Sequence, residues 1–233
     1  ISAPIVFEEQ TIERIALRAI ATTTATDDIE IPTDSLVPLT PIQHWFFECH
    51  PEAPNHFNQS AIVAMSQRID KATLRLALGL LVERHHSFRL RFEQGANGEW
   101  EQRLSSSSAQ SVGQVLEVSL AGLTCEGERE VLTLTERKLQ TGVDISSGPL
   151  MQVALIDRGP KKLQDVMFVV HHLAVDWVSW RILVADLLTA CRHITKDGPG
   201  LEPVPCTFHS WARELLALSK GKCFAKIGRA SCR

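Results

Sequence analysis

No apolar run in this sequence approaches the roughly 20 residues that a helix needs to cross a bilayer. No leader with a basic start, an apolar middle and a small-residue end opens it, so a cytoplasmic chain with no membrane partner is expected. Cysteine is sparse and unpatterned. Cys49, Cys125, Cys191, Cys206, Cys223 and Cys232 show no paired spacing and read as reduced thiols. No Cys/His spacing resembles a zinc site, so no metal is expected. A net charge of −3 offers no electrostatic reason to expect nucleic acid as a partner. What is present suffices for a folded domain, because 233 residues with 44% hydrophobic content can bury a core.

The most informative stretch runs from Val169 to Trp180, Val-Val-His-His-Leu-Ala-Val-Asp-Trp-Val-Ser-Trp. Asp165–Val170 is short, β-branched and aromatic, which predicts a buried strand with His171 and His172 at its C-terminal end. Consecutive strand side chains point to opposite faces, so only one of the two imidazoles can look into a cavity. The pair is one candidate base, suited by its ordinary titration range to proton transfer near neutrality. A histidine at a strand end is more often a satisfied core residue than a catalyst, and these residues alone leave both readings open. Asp176 is placed to cap a helix running to about His193, with Val184, Leu187, Leu188 and Cys191 on its apolar face.

Four motifs in order widen the view. His171-His172-x-x-x-Asp176-x-x-Ser179-Trp180 resembles the active-site motif of the condensation-domain superfamily of nonribosomal peptide synthetases, with the Ser-Trp ending of its epimerization branch. Leu39–Glu48 followed by Asn55-His56-Phe57-Asn58-Gln59-Ser60 resembles the opening motif of epimerization domains. Glu83–Phe92 is similar to the second motif, and Val143–Leu150 to the segment leading into the next core strand. The set covers roughly residues 36–219 and is far more specific than any single motif.

The resemblance implies an α+β fold, a chloramphenicol acetyltransferase-like lobe with a mixed sheet and flanking helices. Such a lobe is one half of a two-lobed V whose active site lies in a tunnel between the halves. It implies that His172 is the catalytic acid/base, with His171 turned into the lobe. Asp176 is then structural, paired with an arginine of the second motif; Arg89 is the expected partner and Arg91 the alternative. Breaking such a buried pair from one side costs roughly 3–5 kcal/mol. Ser179 is expected as a capping partner or substrate contact, and Trp180 as a structural anchor. Trp177 stands where many relatives carry glycine, and a bulky indole beside the histidine would favour epimerization over peptide-bond formation.

The implied substrate is an L-aminoacyl or peptidyl thioester on the 4'-phosphopantetheine of an upstream carrier domain, with no cofactor bound directly. Its Cα–H is acidic because the thioester delocalises the carbanion as an enolate. Conversion to the D-isomer needs proton removal from one face and return to the other. The family's second catalytic candidate, a glutamate, belongs to the C-terminal lobe, so this chain alone is expected to be inactive. Partners would be the carrier domain, the C-terminal lobe and further synthetase modules. Two other readings stay open: a condensation domain joining two carrier-bound thioesters, and a non-catalytic carrier-docking lobe.

Outside these motifs, residues 1–20 are amphipathic and resemble the end of a peptidyl carrier domain, and residues 21–35 read as a linker. Strands are expected over Ser60–Ile69 and Leu150–Asp157, with a hairpin of Phe88–Glu93 and Glu99–Leu104 around Gly95-Ala96-Asn97-Gly98. Helices are expected after Asp70, with a stripe of Leu74, Ala77, Leu78 and Leu81, over Glu126–Gln140, and over Phe208–Leu218. The serine run Ser105–Ser108 reads as a loop. Residues 226–233 match nothing in the family and read as a non-native tail of the kind a read-through sequencing adapter encodes.

Overall fold

A computed structural model describes residues 35–49, 52–106, 111–196, 198, 200–204 and 206–220. The carrier-domain resemblance of residues 1–20, the linker up to residue 34 and the tail 226–233 lie outside the described residues, as do Cys223, Cys232 and part of the serine run.

Two sheets carry the described fold. A four-stranded sheet has the order β2 (Asn58–Ala64), β7 (Asp165–His171), β6 (Met151–Asp157), β5 (Leu116–Ser119). A three-stranded sheet has the order β1 (Leu36–Val37), β4 (Trp100–Leu104), β3 (Leu90–Gln94). The helices are α1 (Pro41–Cys49), α2 (Lys71–Arg84), α3 (Cys125–Gln140), α4 (Trp177–Lys196) and α5 (Phe208–Ser219). The fold is α+β with a mixed sheet: β7 pairs antiparallel with β2 and β6, while β5 runs parallel to β6. A parallel pair needs a long crossover, and α3 supplies it.

The central strand explains its own composition. All of β7 is buried because its side chains alternate between two cores. Val166, Phe168 and Val170 join Val153 and Leu155 of β6 in the larger core, with the α2 stripe and with Leu183, Leu187, Ala190 and Cys191 of α4. Met167 and Val169 join Ala154 and Ile156 in the smaller one, with Leu139 of α3. Leu74, Ala77, Leu78 and Leu81 of α2 are fully buried, and each leucine is worth roughly 1.5–3 kcal/mol of transfer free energy. Val184 and Leu188 of the expected α4 stripe are only partly buried, whereas Leu183 and Leu187 are buried in the larger core.

Helix starts follow local chemistry. Asp70 Oδ1 accepts the Thr73 amide at 2.7 Å, and Thr124 Oγ1 accepts that of Gly127 at 3.2 Å. Ahead of α1, Gln43 Oε1 reaches back to the Thr40 amide at 2.9 Å, one arm of a capping box, with Pro41 at the first helical position.

Both bounds of β2 and the start of β3 depart from expectation by two residues or more. β2 starts at Asn58 and stops at Ala64, the span over which it pairs with β7, and beyond it the Ile69 amide donates to Gln164 Oε1 at 2.8 Å. Phe88 sits in a 3-10 turn, His86–Arg89, ahead of β3. The short strands β1 and β5 carry no periodic signal long enough to read, and α1 was evident only as a motif.

Candidate active site

β7 delivers the two histidines, and tertiary contacts give them different fates. His171 has no exposed surface. Its Nδ1 accepts the Leu173 amide at 3.1 Å, so the remaining ring proton sits on Nε2, which donates to the Pro54 carbonyl at 2.7 Å. The edge of Phe46 meets the ring at a centroid distance of 5.6 Å. Burial pushes this imidazole down to about 4, against the raising effect of the Pro54 bond and with a smaller push from the neighbouring His172.

His172 lies one residue past the strand and lines a cavity of about 530 Å³. Its ring stacks on Phe57 at 5.2 Å. Nδ1 lies 2.9 Å from the Val175 carbonyl, an acceptor, so Nδ1 carries a proton. Nε2 lies 2.9 Å from the side-chain amide nitrogen of Gln59 on β2. Gln59 Oε1 in turn accepts the indole N–H of Trp180, on the first turn of α4, at 2.6 Å. The cavity wall is completed by Ile42, Trp45 and Phe46 of α1, the end of α2 from Arg84, the loop to Asp176, Ser179, and Phe208 and Trp211 of α5. At that end of α2, Arg84 and His85 both meet Asp186 Oδ2, at 2.9 and 2.6 Å.

Asp176 caps α4. Its Oδ1 accepts both the amide and the hydroxyl of Ser179 at 2.7 Å, and these bonds hold the carboxyl below its ordinary range. The expected ion pair with Arg89 or Arg91 is not formed. Arg89 Nε donates to the Ser105 carbonyl at 2.9 Å, and Arg91 donates to the carbonyls of Phe88, Leu90 and Ser147 and to Ser111 Oγ. A carboxylate that finds two donors three residues away, on the surface, has no need of a buried partner. Trp177 also departs from expectation. Its side chain is 82% exposed and is not part of the cavity wall, so it does not fill the space beside His172.

Sequence reasoning thus located His172, Ser179 and Trp180 in one neighbourhood but missed Gln59 and the Phe57 face. Both stood inside the motif that opens the lobe. The clue was Trp180: an indole that is half-buried needs an acceptor for its N–H.

Residues 34–226 match the family model described as "Condensation domain". Among curated proteins, the chain is 35% identical to chondramide synthase cmdD of Chondromyces crocatus over 215 residues, covering 92% of this chain and 5% of that protein. It is 37% identical to malformin synthetase mlfA of Aspergillus sclerotiicarbonarius over 193 residues, covering 80% of this chain and 4% of that one. Among solved structures, the epimerization domain from the third module of tyrocidine synthetase B superposes with a TM-score of 0.69 at 27% identity, over 81% of this chain and 42% of that domain. The first condensation domain of the calcium-dependent antibiotic synthetase shares the fold, with a TM-score of 0.70 at 17% identity over 82% of this chain and 45% of that one. The chain spans less than half the length of these solved domains and a small fraction of the curated synthetases. With the fold, the motif order and the family match in agreement, this chain belongs to the condensation-domain family of nonribosomal peptide synthetases.

Proposed function

We propose that this chain contributes the His172 half of an epimerization site, converting a carrier-bound L-aminoacyl or peptidyl thioester to its D-isomer. The observation that carries the reading is the state of His172, a residue lining a cavity of about 530 Å³: its Nδ1–H is tied to the Val175 carbonyl, which leaves the ring's lone pair on Nε2. Nε2 takes the Cα proton, the electron pair stays on the thioester as an enolate, and return of a proton to the opposite face inverts the centre. His171 holds the strand end, Asp176 and Ser179 hold the start of α4, and Arg89 braces the second motif through Ser105. The Ser179-Trp180 pair and the 27% identity to a solved epimerization domain support this branch.

The substrate arrives on the phosphopantetheine of a carrier domain, whose last residues we assign to 1–20, with 21–35 as linker. A condensation reaction through the same imidazole is favoured by one observation, the outward position of Trp177, which leaves open the space that glycine keeps in condensation-type sites.

The test is His172→Ala in a synthetase carrying the whole domain and a loaded carrier. Solvent deuterium wash-in at Cα and D-isomer formation should fall by roughly 10²–10⁴-fold while carrier loading is unchanged. Undiminished exchange refutes the assignment. Peptide-bond formation between two loaded carriers without exchange selects condensation, and carrier binding with neither reaction selects a docking lobe.

A further inference from the structure

We propose that Gln59 is a positioning residue that presents His172 as a neutral base, and that Trp180 acts on the reaction only through Gln59. The inference rests on the acid/base reading of His172 and goes beyond it by assigning two residues to the control of its proton.

The argument is one of donors and acceptors. The indole N–H of Trp180 can only donate, and at 2.6 Å it fixes the carbonyl end of the Gln59 amide toward α4. The NH2 end then faces His172 Nε2 at 2.9 Å, and an NH2 group can only donate. Nε2 therefore has to offer its lone pair. On the opposite edge of the ring, the Val175 carbonyl can only accept, so Nδ1 has to carry the proton. The neutral Nδ1–H tautomer is specified twice over, by groups from β2, α4 and the loop between β7 and α4. Asp176, whose carboxylate feels charge on His172, has its Oδ1 bonded to Ser179, so an amide and not a carboxylate meets Nε2.

This wiring has a consequence during turnover. When Nε2 takes the Cα proton, the Cα–H bond breaks, its electron pair remains on the enolate, and a new Nε2–H forms. That N–H now faces the NH2 of Gln59, donor against donor. Turning the amide relieves this contact only by setting its NH2 against the Trp180 N–H. In either arrangement one half-buried donor lacks an acceptor, which is unfavourable. The imidazolium is thus kept short-lived and the proton is driven back out, as a reversible shuttle requires.

The test reads the ring directly, by nitrogen NMR of the full chain labelled with ¹⁵N-histidine at neutral pH. The wild type should show His172 with a protonated Nδ1 and a bare Nε2. Gln59→Glu places an acceptor opposite Nε2, so the ring should become doubly protonated. Trp180→Phe keeps an aromatic body against Phe168 but removes the N–H, freeing Gln59 to turn its oxygen to Nε2, and the doubly protonated fraction should rise. In a synthetase carrying the whole domain, each variant should lower kcat for Cα exchange by roughly 10²-fold with KM unchanged, the scale expected of a misplaced reacting group.

An Nε2–H tautomer in the wild type overturns the proposal, as do ring signals that stay in place in both variants. Should Gln59→Glu fail to fold, the Trp180→Phe signals decide alone. The two levels fail separately: an active His172→Ala enzyme whose parent ring responds as stated refutes the acid/base assignment, whereas an inactive one with unmoved ring signals refutes the role of Gln59.

Discussion

Acidification should unfold this chain partly through His171. The ring is fully buried, uses Nδ1 to accept the Leu173 amide and Nε2 to donate to Pro54, and so has no lone pair left for a second proton without breaking a bond. Burial is the main reason its titration falls from the ordinary 6.5 to about 4. Between those values the unfolded chain binds a proton that the folded chain refuses, so stability drops as pH drops. The contribution is complete above about 6.5 and is lost progressively toward about 4, a total of roughly 3 kcal/mol at about 1.36 kcal/mol per pH unit. Against a typical domain stability of about 5–15 kcal/mol, that is a large share.

His86 and His209 are also held below their ordinary range by burial and act in the same direction, so the wild type alone would not isolate the effect. The comparison is with His171→Asn, which cannot titrate. Its lost contact with Phe46 lowers stability by an amount independent of pH. Urea unfolding followed by tryptophan fluorescence, at steps from about pH 7 to about pH 4, should show the wild type losing roughly 3 kcal/mol more than the variant. Parallel stability curves for the two proteins would refute the reasoning.

Two further predictions concern the start of α4. Asp176→Ala should cost about 1 kcal/mol in thermal or urea unfolding, the worth of an N-cap, because the carboxylate bonds only locally to Ser179. A loss of about 3–5 kcal/mol would instead reveal a buried ion pair. Trp177→Gly should change stability by no more than about 1 kcal/mol, since it removes an exposed side chain at the first turn of a helix. Activity in a synthetase carrying the whole domain should be unchanged, and a large change in Cα exchange would show that the indole reaches the substrate after all.

Much of the fold was legible because it is written locally. Asp70 and Asp176 announce helix starts through bonds that span three residues, and the α2 stripe of Leu74, Ala77, Leu78 and Leu81 is a matter of helical period. The continuous apolar run of β7 follows from burial on both faces, and its shortness together with its β-branched and aromatic residues distinguished it from a helix. Strands β1 and β5 were not legible, being two and four residues long and defined by their pairing partners. The Asp176–Arg89 pair was expected on resemblance, and local geometry won: a nearby amide and hydroxyl satisfy the carboxylate at less cost than a desolvated guanidinium.

By itself, then, the sequence determined the longer elements, the helix caps at Asp70 and Asp176, and the family to which the motifs belong, because each is written in residues a few positions apart. Alternation also dictated that one imidazole at most could face a cavity. Tertiary structure alone decided how that imidazole is held. Gln59 reaches His172 across 113 positions and Trp180 across 121, contacts created by the register of β2 against β7 and by the seating of α4. No local pattern encodes such a meeting, since pairing register is a property of the folded sheet. The donor-only N–H of Trp180 acquires its meaning once that sheet has formed.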